Sequence, residues 1–374
     1  MIHTFKAVGQ PMMLDVGSGA VHALDELAYD VMSLWNEHDP EEIKRQISIQ
    51  ASLAPVEYED YILNFIDTPG YFDFEGEVAQ ALRVADCGVI VVSAKNGASV
   101  GTEKAWNYAT KNNVGKMFIV NQMDRDHADF MKVQGELRDK FGSSVVPIML
   151  PIGSGANYRG VVNILENKAY ERVAKGQPKE IPVPSDMADA IAEALEEITE
   201  AAAGADEELM MKYLEEGELT QEEILEGFKA GMFSGEICPV VPCSGLTGVG
   251  VSKLLDVIAD FLPSPVRQVY TGVNPKNDEE ETRACKADEP FSAFVYKTIA
   301  DPFVGKLNLF KVMSGTLSST GNIYNATSDK TEKINGLYVL RGKKQINVQQ
   351  LQAGDMGALA KLQFTNTGDT LCDP

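Results

Sequence analysis

No apolar run in the sequence reaches the roughly 18 residues that a membrane-spanning helix needs, so no membrane partner is expected. The opening residues, MIHTFKAVGQ, lack the basic start and apolar stretch of a secretory signal. Cysteine is scarce: Cys87, Cys238, Cys243, Cys285 and Cys372 are an odd set with no C-x-x-C pair. Cys238 and Cys243 alone cannot close a four-ligand zinc site, and the five read as reduced thiols of a cytoplasmic protein. Histidine is scarcer still, and His3, His22, His38 and His127 read as packing or surface residues without a metal-like partner. Positive charge is also short, with 33 Lys and Arg against 55 Asp and Glu, a net charge of −22. That balance argues against charge-driven nucleic-acid binding, and no direct sequence-specific nucleic-acid partner is expected.

What is present is the composition of a soluble globular protein, 44% hydrophobic and 24% charged, in 374 residues that hold two or three domains. The negative charge is concentrated. Residues 186–229 carry 15 acids against two lysines, −13 of the −22. Met187, Ile191, Leu195 and Ile198 are spaced there as one face of an acidic amphipathic helix, with more helix over 207–228. A solvated outer face accounts for the charge, and a partner-docking face is the alternative.

The first 38 residues read as a strand at 12–16, a Gly17-Ser18-Gly19 turn, a strand at 20–24 and a helix from Asp25. From Ile47 strands and helices alternate, the rhythm of a mostly parallel sheet. A strand pair is expected over 47–58 and 61–66, and fully buried strands over 87–93 and 116–120. Helices are expected over 75–84, 102–112 and 128–141, and a strand over 144–150. After the acidic insert, placed at about 151–234, a strand at 237–243 and a helix at 251–261 complete the domain. Residues 266–289 are polar and read as a linker. From Pro290 short strands and turns predict an all-β domain, sandwich or barrel.

Three motifs stand at strand ends. Asp67-Thr68-Pro69-Gly70 follows the strand 61–66 directly, where an Asp can hold a magnesium ion's hydration shell and a Gly lets a backbone N–H approach a phosphate. A plain surface turn uses the same residues. Asn121-Gln122-Met123-Asp124 follows strand 116–120, where an Asp can accept two hydrogen bonds from guanine that adenine cannot reciprocate. Ser244-Gly245-Leu246 ends a third strand, where a backbone N–H can reach the guanine O6; a strand-to-helix turn suits it equally. The set, in order and each at a strand end, is more specific than any member.

On these motifs, and on EEIKRQISI, NFIDTPGYFDF, ALRVADCGVIVVSA, VGTEKAW, FIVNQMDRD, PIGSGANYRGVVN and GDTLCDP, residues 39–374 resemble elongation factor G of bacterial type or a close paralogue. The resemblance implies an α/β fold class: a GTPase sheet with an acidic helical insert, then an all-β translation-factor barrel. It implies GTP or GDP and Mg2+ as cofactors, the ribosome as partner, and the cytoplasm. Asn121, Gln122 and Asp124 would read guanine, faced by Ser244, Gly245 and Leu246. Ser48 and Asp67 would serve magnesium, with Thr68 and Pro69 in the same turn, and Gly70 the γ-phosphate. The family's last three domains are not represented, so the chain is expected to be a truncated form.

The departures from the family are specific. The phosphate-cradling motif G-x-x-x-x-G-K-[ST] occurs nowhere, and the Gly305-Lys306 pair lacks the earlier Gly. The P-loop-type sheet is therefore expected to be incomplete, with two strands lacking their shared neighbour. Arg45-Gln46-Ile47-Ser48 stands for the usual Arg-Gly-Ile-Thr, Gln122 for Lys and Gly245 for Ala. Tyr71 stands where a water-positioning His is usual, and a phenol orients water more weakly. GTP turnover is expected to be very slow or undetectable. Residues 1–38 resemble instead the start of radical S-adenosylmethionine enzymes that install thioether bridges in peptides, which implies a peptide adding a strand to a small sheet. The expected division is 1–38, 39–265, a linker at 266–289 and 290–374. One further expectation is that the strand at 12–16 fills the vacant slot in the sheet. The competing readings are a non-enzymatic ribosome- or peptide-binding pseudo-GTPase and a non-functional gene fusion fragment.

Overall fold

The computed structural model describes residues 47–373, apart from 174–176, 275–276, 302–304 and 343, and the backbone of three strands near the start of the chain. Those strands, β1 (Ile2–Ala7), β2 (Gln10–Asp15) and β3 (Ala20–Ala23), form an antiparallel sheet of their own, with β2 in the middle. Both edges of β2 are thus taken, and it does not fill the vacant slot expected for residues 12–16. Strands a few residues apart in sequence close on each other at less entropic cost than a distant sheet demands. The helix expected from Asp25, the junction near Asp39, His38, Arg45 and Gln46 lie outside the described residues.

β4 (Ser52–Tyr58) and β5 (Tyr61–Asp67) form a hairpin in register from Ser52 opposite Asp67 to Tyr58 opposite Tyr61. The left-handed backbone of Glu59, φ 50°, lets the turn close in two residues. Next come α1 (Glu75–Leu82), β6 (Cys87–Ser93), α2 (Val100–Lys111), β7 (Gly115–Asn121), α3 (Phe130–Phe141) and β8 (Val145–Pro147). The helix starts have side-chain causes: Ser99 Oγ accepts from Thr102 N–H at 3.3 Å, and Asp129 Oδ1 from Lys132 N–H at 3.1 Å.

The insert is only partly helical. β9 (Met149–Ile152), β10 (Gly160–Asn163), β11 (Lys168–Glu171) and β12 (Lys179–Ile181) make an antiparallel sheet before α4 (Ala188–Gly204), α5 (Glu207–Glu216) and α6 (Gln221–Ser234). The strand expected over 144–150 is divided at Ile148, its first half in the parallel sheet and its second in this one. On α4 Ile198 is fully buried, whereas Leu195 is exposed, so the buried face runs through Ile191, Ala194, Ile198 and Ala202.

β13 (Cys238–Pro242) and α7 (Val251–Phe261) close the domain, whose sheet runs β6-β7-β13-β8, all parallel. β7 is central: Met117, Phe118 and Val120 have no exposed surface, and the Phe118 ring lies 5.6 Å from Trp106 and 5.4 Å from Phe141. β6, expected to be fully buried, is instead an edge strand. No described strand lies on its second side, and its alternate side chains face opposite sides of the sheet, Val92 3% exposed and Val91 58%. The second edge of β5 is likewise unpaired by any described strand, and Ile62 is 63% exposed.

The segment expected as a linker contains a hairpin of β14 (Val269–Val273) and β15 (Glu280–Ala284). Beyond it β16 (Ser292–Asp301) and β17 (Gly305–Ser314) are the long central strands of an eight-stranded antiparallel sheet. Phe291, Val295, Phe310, Val312, Leu359 and Leu371 fill the core on one side. On the other, Tyr296, Leu307, Leu309, Leu340 and Met356 pack with Leu53 and Val84 of the first domain, so one apolar cluster spans both domains.

Candidate functional site

The motifs Asn121–Asp124 and Ser244–Leu246 converge at the C-terminal ends of β7 and β13, as their sequence positions predict. The pairing of these strands runs to Pro242 opposite Val120 and is extended by Cys243 N–H donating to the Val120 carbonyl at 2.9 Å. Beyond it the two loops hold each other. Asn121 Oδ1 accepts from the Gly245 N–H at 3.0 Å and from the Gln122 N–H at 2.7 Å. Ser244 Oγ donates to Asp124 Oδ1 at 2.6 Å and accepts from Thr247 N–H at 3.1 Å. Ser244 is fully buried, while Gly245 and Leu246 face solvent, Leu246 with 63% exposed. The second oxygen of Asp124 lies 4.0 Å from Arg125 Nε.

Gln122 adopts a left-handed backbone, φ 67°, which costs a non-glycine residue on the order of 1 kcal/mol. Its side-chain carbonyl accepts from Ser93 Oγ at 2.9 Å, which ties the loop to the end of β6. Tyr158 supports the facing loop from below. It is 6% exposed and its hydroxyl donates to the Pro242 carbonyl at 3.2 Å. Burial, then Cys243 and Asp124, push its phenol well above the usual tyrosine range. Burial and then Asp124 raise the Cys243 thiol to about 12. A Cβ on Gly250, φ 80°, would lie 2.8 Å from the Pro242 carbonyl oxygen and 2.9 Å from the Tyr158 hydroxyl, so this contact requires glycine. Ser93 and Tyr158 carry no motif in the sequence; only their places after an apolar strand and in ANYRG hint at them. An open cleft of about 420 Å³, lined by Met123, His127, Asp129, Met131 and Ser154 among others, flanks this loop but does not include Asn121, Asp124 or Ser244.

Asp67, Thr68, Pro69, Gly70 and Tyr71 follow β5. Pro69 is buried, Thr68 half-buried, and Asp67, Gly70 and Tyr71 are exposed, Tyr71 with 58%. Ser52 pairs with Asp67, so Ser48, four residues earlier, belongs to the same end of the hairpin. A Cβ on Gly101 would lie 3.9 Å from the Gly70 carbonyl oxygen, which sets this turn against the start of α2. No described group of three or more His, Cys, Asp or Glu side chains could hold a metal ion by itself. The donor set thus fits a guanine base directly. For magnesium it offers only Asp67 and Ser48, which suit an ion held mainly by phosphates and water.

The family profile of the elongation factor Tu GTP-binding domain matches residues 17–264, more than half of the chain, starting inside the segment set apart by sequence. That of elongation factor G domain 2 matches residues 290–374. A crystal structure of a protein from Thermus thermophilus superposes with a TM-score of 0.78 at 29% identity, over 90% of this chain and 48% of that one. The chain therefore spans about half the length of that protein. With both profiles matched in order, the chain belongs to the translation GTPases, as an elongation factor Tu-type GTP-binding domain followed by an elongation factor G domain 2.

Proposed function

We propose that the chain is an elongation-factor-G-like translation factor that binds guanine nucleotide through its base and acts at the ribosome in the cytoplasm, with GTP turnover very slow or undetectable. The observation that carries this reading is the pair of bonds by which Asn121 Oδ1 accepts from Gly245 N–H and Ser244 Oγ donates to Asp124, which join the two proposed base loops. Asp124 would accept from the guanine N1–H and amine, and the loop at Ser244, Gly245 and Leu246 would face the base's O6. Bound magnesium supplies charge compensation for the phosphates, with Asp67 and Ser48 as the chain's contribution. Tyr71 stands where water would be oriented, and its phenol accounts for part of the slow turnover. The missing G-x-x-x-x-G-K-[ST] accounts for most of it.

The test is equilibrium binding of fluorescent GTP and GDP to the chain, with and without magnesium. Binding competed by guanine nucleotides and not by ATP supports the reading. No binding up to millimolar nucleotide removes it and leaves a non-enzymatic ribosome-binding role. One observation favours a second role in peptide binding: β1, β2 and β3 form a separate small sheet with two edge strands, the kind of platform to which an extended peptide adds.

A further inference from the structure

Glu77, in the first turn of α1, joins three segments that are far apart in sequence. Its Oε2 accepts from the Ala51 N–H at 2.7 Å and from Lys297 Nζ at 2.6 Å. Lys297 closes the triangle by donating to the Ala51 carbonyl at 3.1 Å. Ala51 lies three residues after Ser48, Glu77 six residues after Tyr71, and Lys297 in the middle of β16. Lys297 is 5% exposed, so its ammonium is withdrawn from water and depends on these acceptors. A second lysine repeats the device beyond the other end of α1. Lys311 on β17, 3% exposed, donates to Asp86 Oδ1 at 2.6 Å and to the Val84 carbonyl at 2.9 Å. Between the two lysines lies the cluster of Leu53, Val84, Tyr296 and Leu309. Helix α1 is thus fastened to the β domain at its start and just past its end.

We infer that Glu77 is a positioning residue that fixes the segment after Ser48 and the helix after Tyr71 to strand β16, so that the three shift as one body. A pair of exposed charges would not do this, because solvent and salt screen it and its chains rearrange freely. A buried ammonium has no such freedom. If the turn 67–71 changes shape, Glu77 carries the change to β16, and a load on the β domain returns to the turn by the same bond. That the turn is a phosphate-side segment rests on the proposed function. The coupling does not, and its test uses no nucleotide.

The experiment is amide hydrogen exchange on the whole chain in increasing denaturant. In the unmodified protein the Ala51 N–H and the amides of β16 should open together, with the same denaturant dependence. Glu77→Gln keeps an acceptor for the Ala51 N–H but removes the charge that Lys297 requires. Ala51 should then exchange at least tenfold faster, ahead of β16. Lys140→Met, which loses an exposed 2.9 Å pair with Glu103, should leave both unchanged. Independent local exchange of Ala51 in the unmodified chain overturns the inference, and so does Glu77→Gln with Ala51 and β16 still in step. If Glu77→Gln does not fold, the unmodified chain alone decides.

Discussion

Around Asn121 and Ser244 each loop rests on a side chain of another loop: Asn121 Oδ1 holds the Gly245 N–H, and Ser244 Oγ holds Asp124. Around Asp67 to Tyr71, in the same domain, the turn follows a hairpin whose second edge no described strand pairs, and it presents Asp67, Gly70 and Tyr71 to solvent. Both regions are loops at strand ends. The first inherits order from β7 and β13, which have neighbours on both sides. Among the described strands the second has β4 on one side only, and the helix that follows it is tied to the β domain through Glu77. A strand-end loop thus draws its order both from the strands that flank it and from side-chain bonds to a facing loop.

The largest effect that can break this contrast is in the sheet itself. Phe118→Ala should lower unfolding stability by about 3–5 kcal/mol, and Ile62→Ala on the hairpin by less than about 0.5 kcal/mol, both read from urea melts. Comparable losses would mean that the hairpin is as tightly packed as β7. Next, Asn121→Ala should cost about 1 kcal/mol by losing its two bonds to the Gly245 and Gln122 N–H groups, and should abolish the preference for guanine over adenine nucleotides in competition binding. Tyr71→His should raise single-turnover GTP hydrolysis by less than about tenfold, short of the 10²–10⁴ that a well-placed acid or base supplies. A larger rise would show that phosphates are held after all.

Thiol labelling sharpens the contrast further. Cys243 is held protonated by burial and by Asp124, with its pKa raised to about 12, so iodoacetamide at pH 8 should leave it unmodified until the chain is unfolded. Mass spectrometry of the labelled peptides reads this directly. The smallest effect is at α6, where Lys212 and then Thr220 hold the Glu223 carboxylate down at about 2. A depressed carboxylate adds stability above its unfolded value of about 4.3, and that stability is lost as pH falls toward 2. Exchange of the Glu223 N–H, which the Thr220 hydroxyl caps, should therefore quicken between pH 5 and pH 2 relative to mid-helix amides, after correction for intrinsic rates.

The parallel rhythm was legible because apolar runs such as CGVIVVS and KMFIV are self-contained signals; the structure begins and ends β6 at Cys87 and Ser93, and α7 at Val251 and Phe261. The antiparallel sheet from Met149 to Ile181 was not legible. Its strands are three or four residues long, too short for a period to emerge, and its first one continues the apolar run of β8. In the site, Asn121, Asp124 and Ser244 could be read because their side chains and strand-end positions both carry meaning. Ser93, Tyr158 and Glu77 act through partners 29, 84 and 220 residues away, a distance no local pattern records.

The edge of β6 has a consequence for the chain in company. Among the described residues no strand pairs with the second edge of β6, and such an edge is a template on which a second molecule can lay its own strand; β5 offers another. Neither is blunted by a proline or an internal lysine. The guard is long-range instead: at a net charge of −22 two copies repel each other before their edges meet. Concentrated salt or a pH near the isoelectric point of about 4.6 removes that guard, and edge-to-edge association follows from the same opening that divides the sheet.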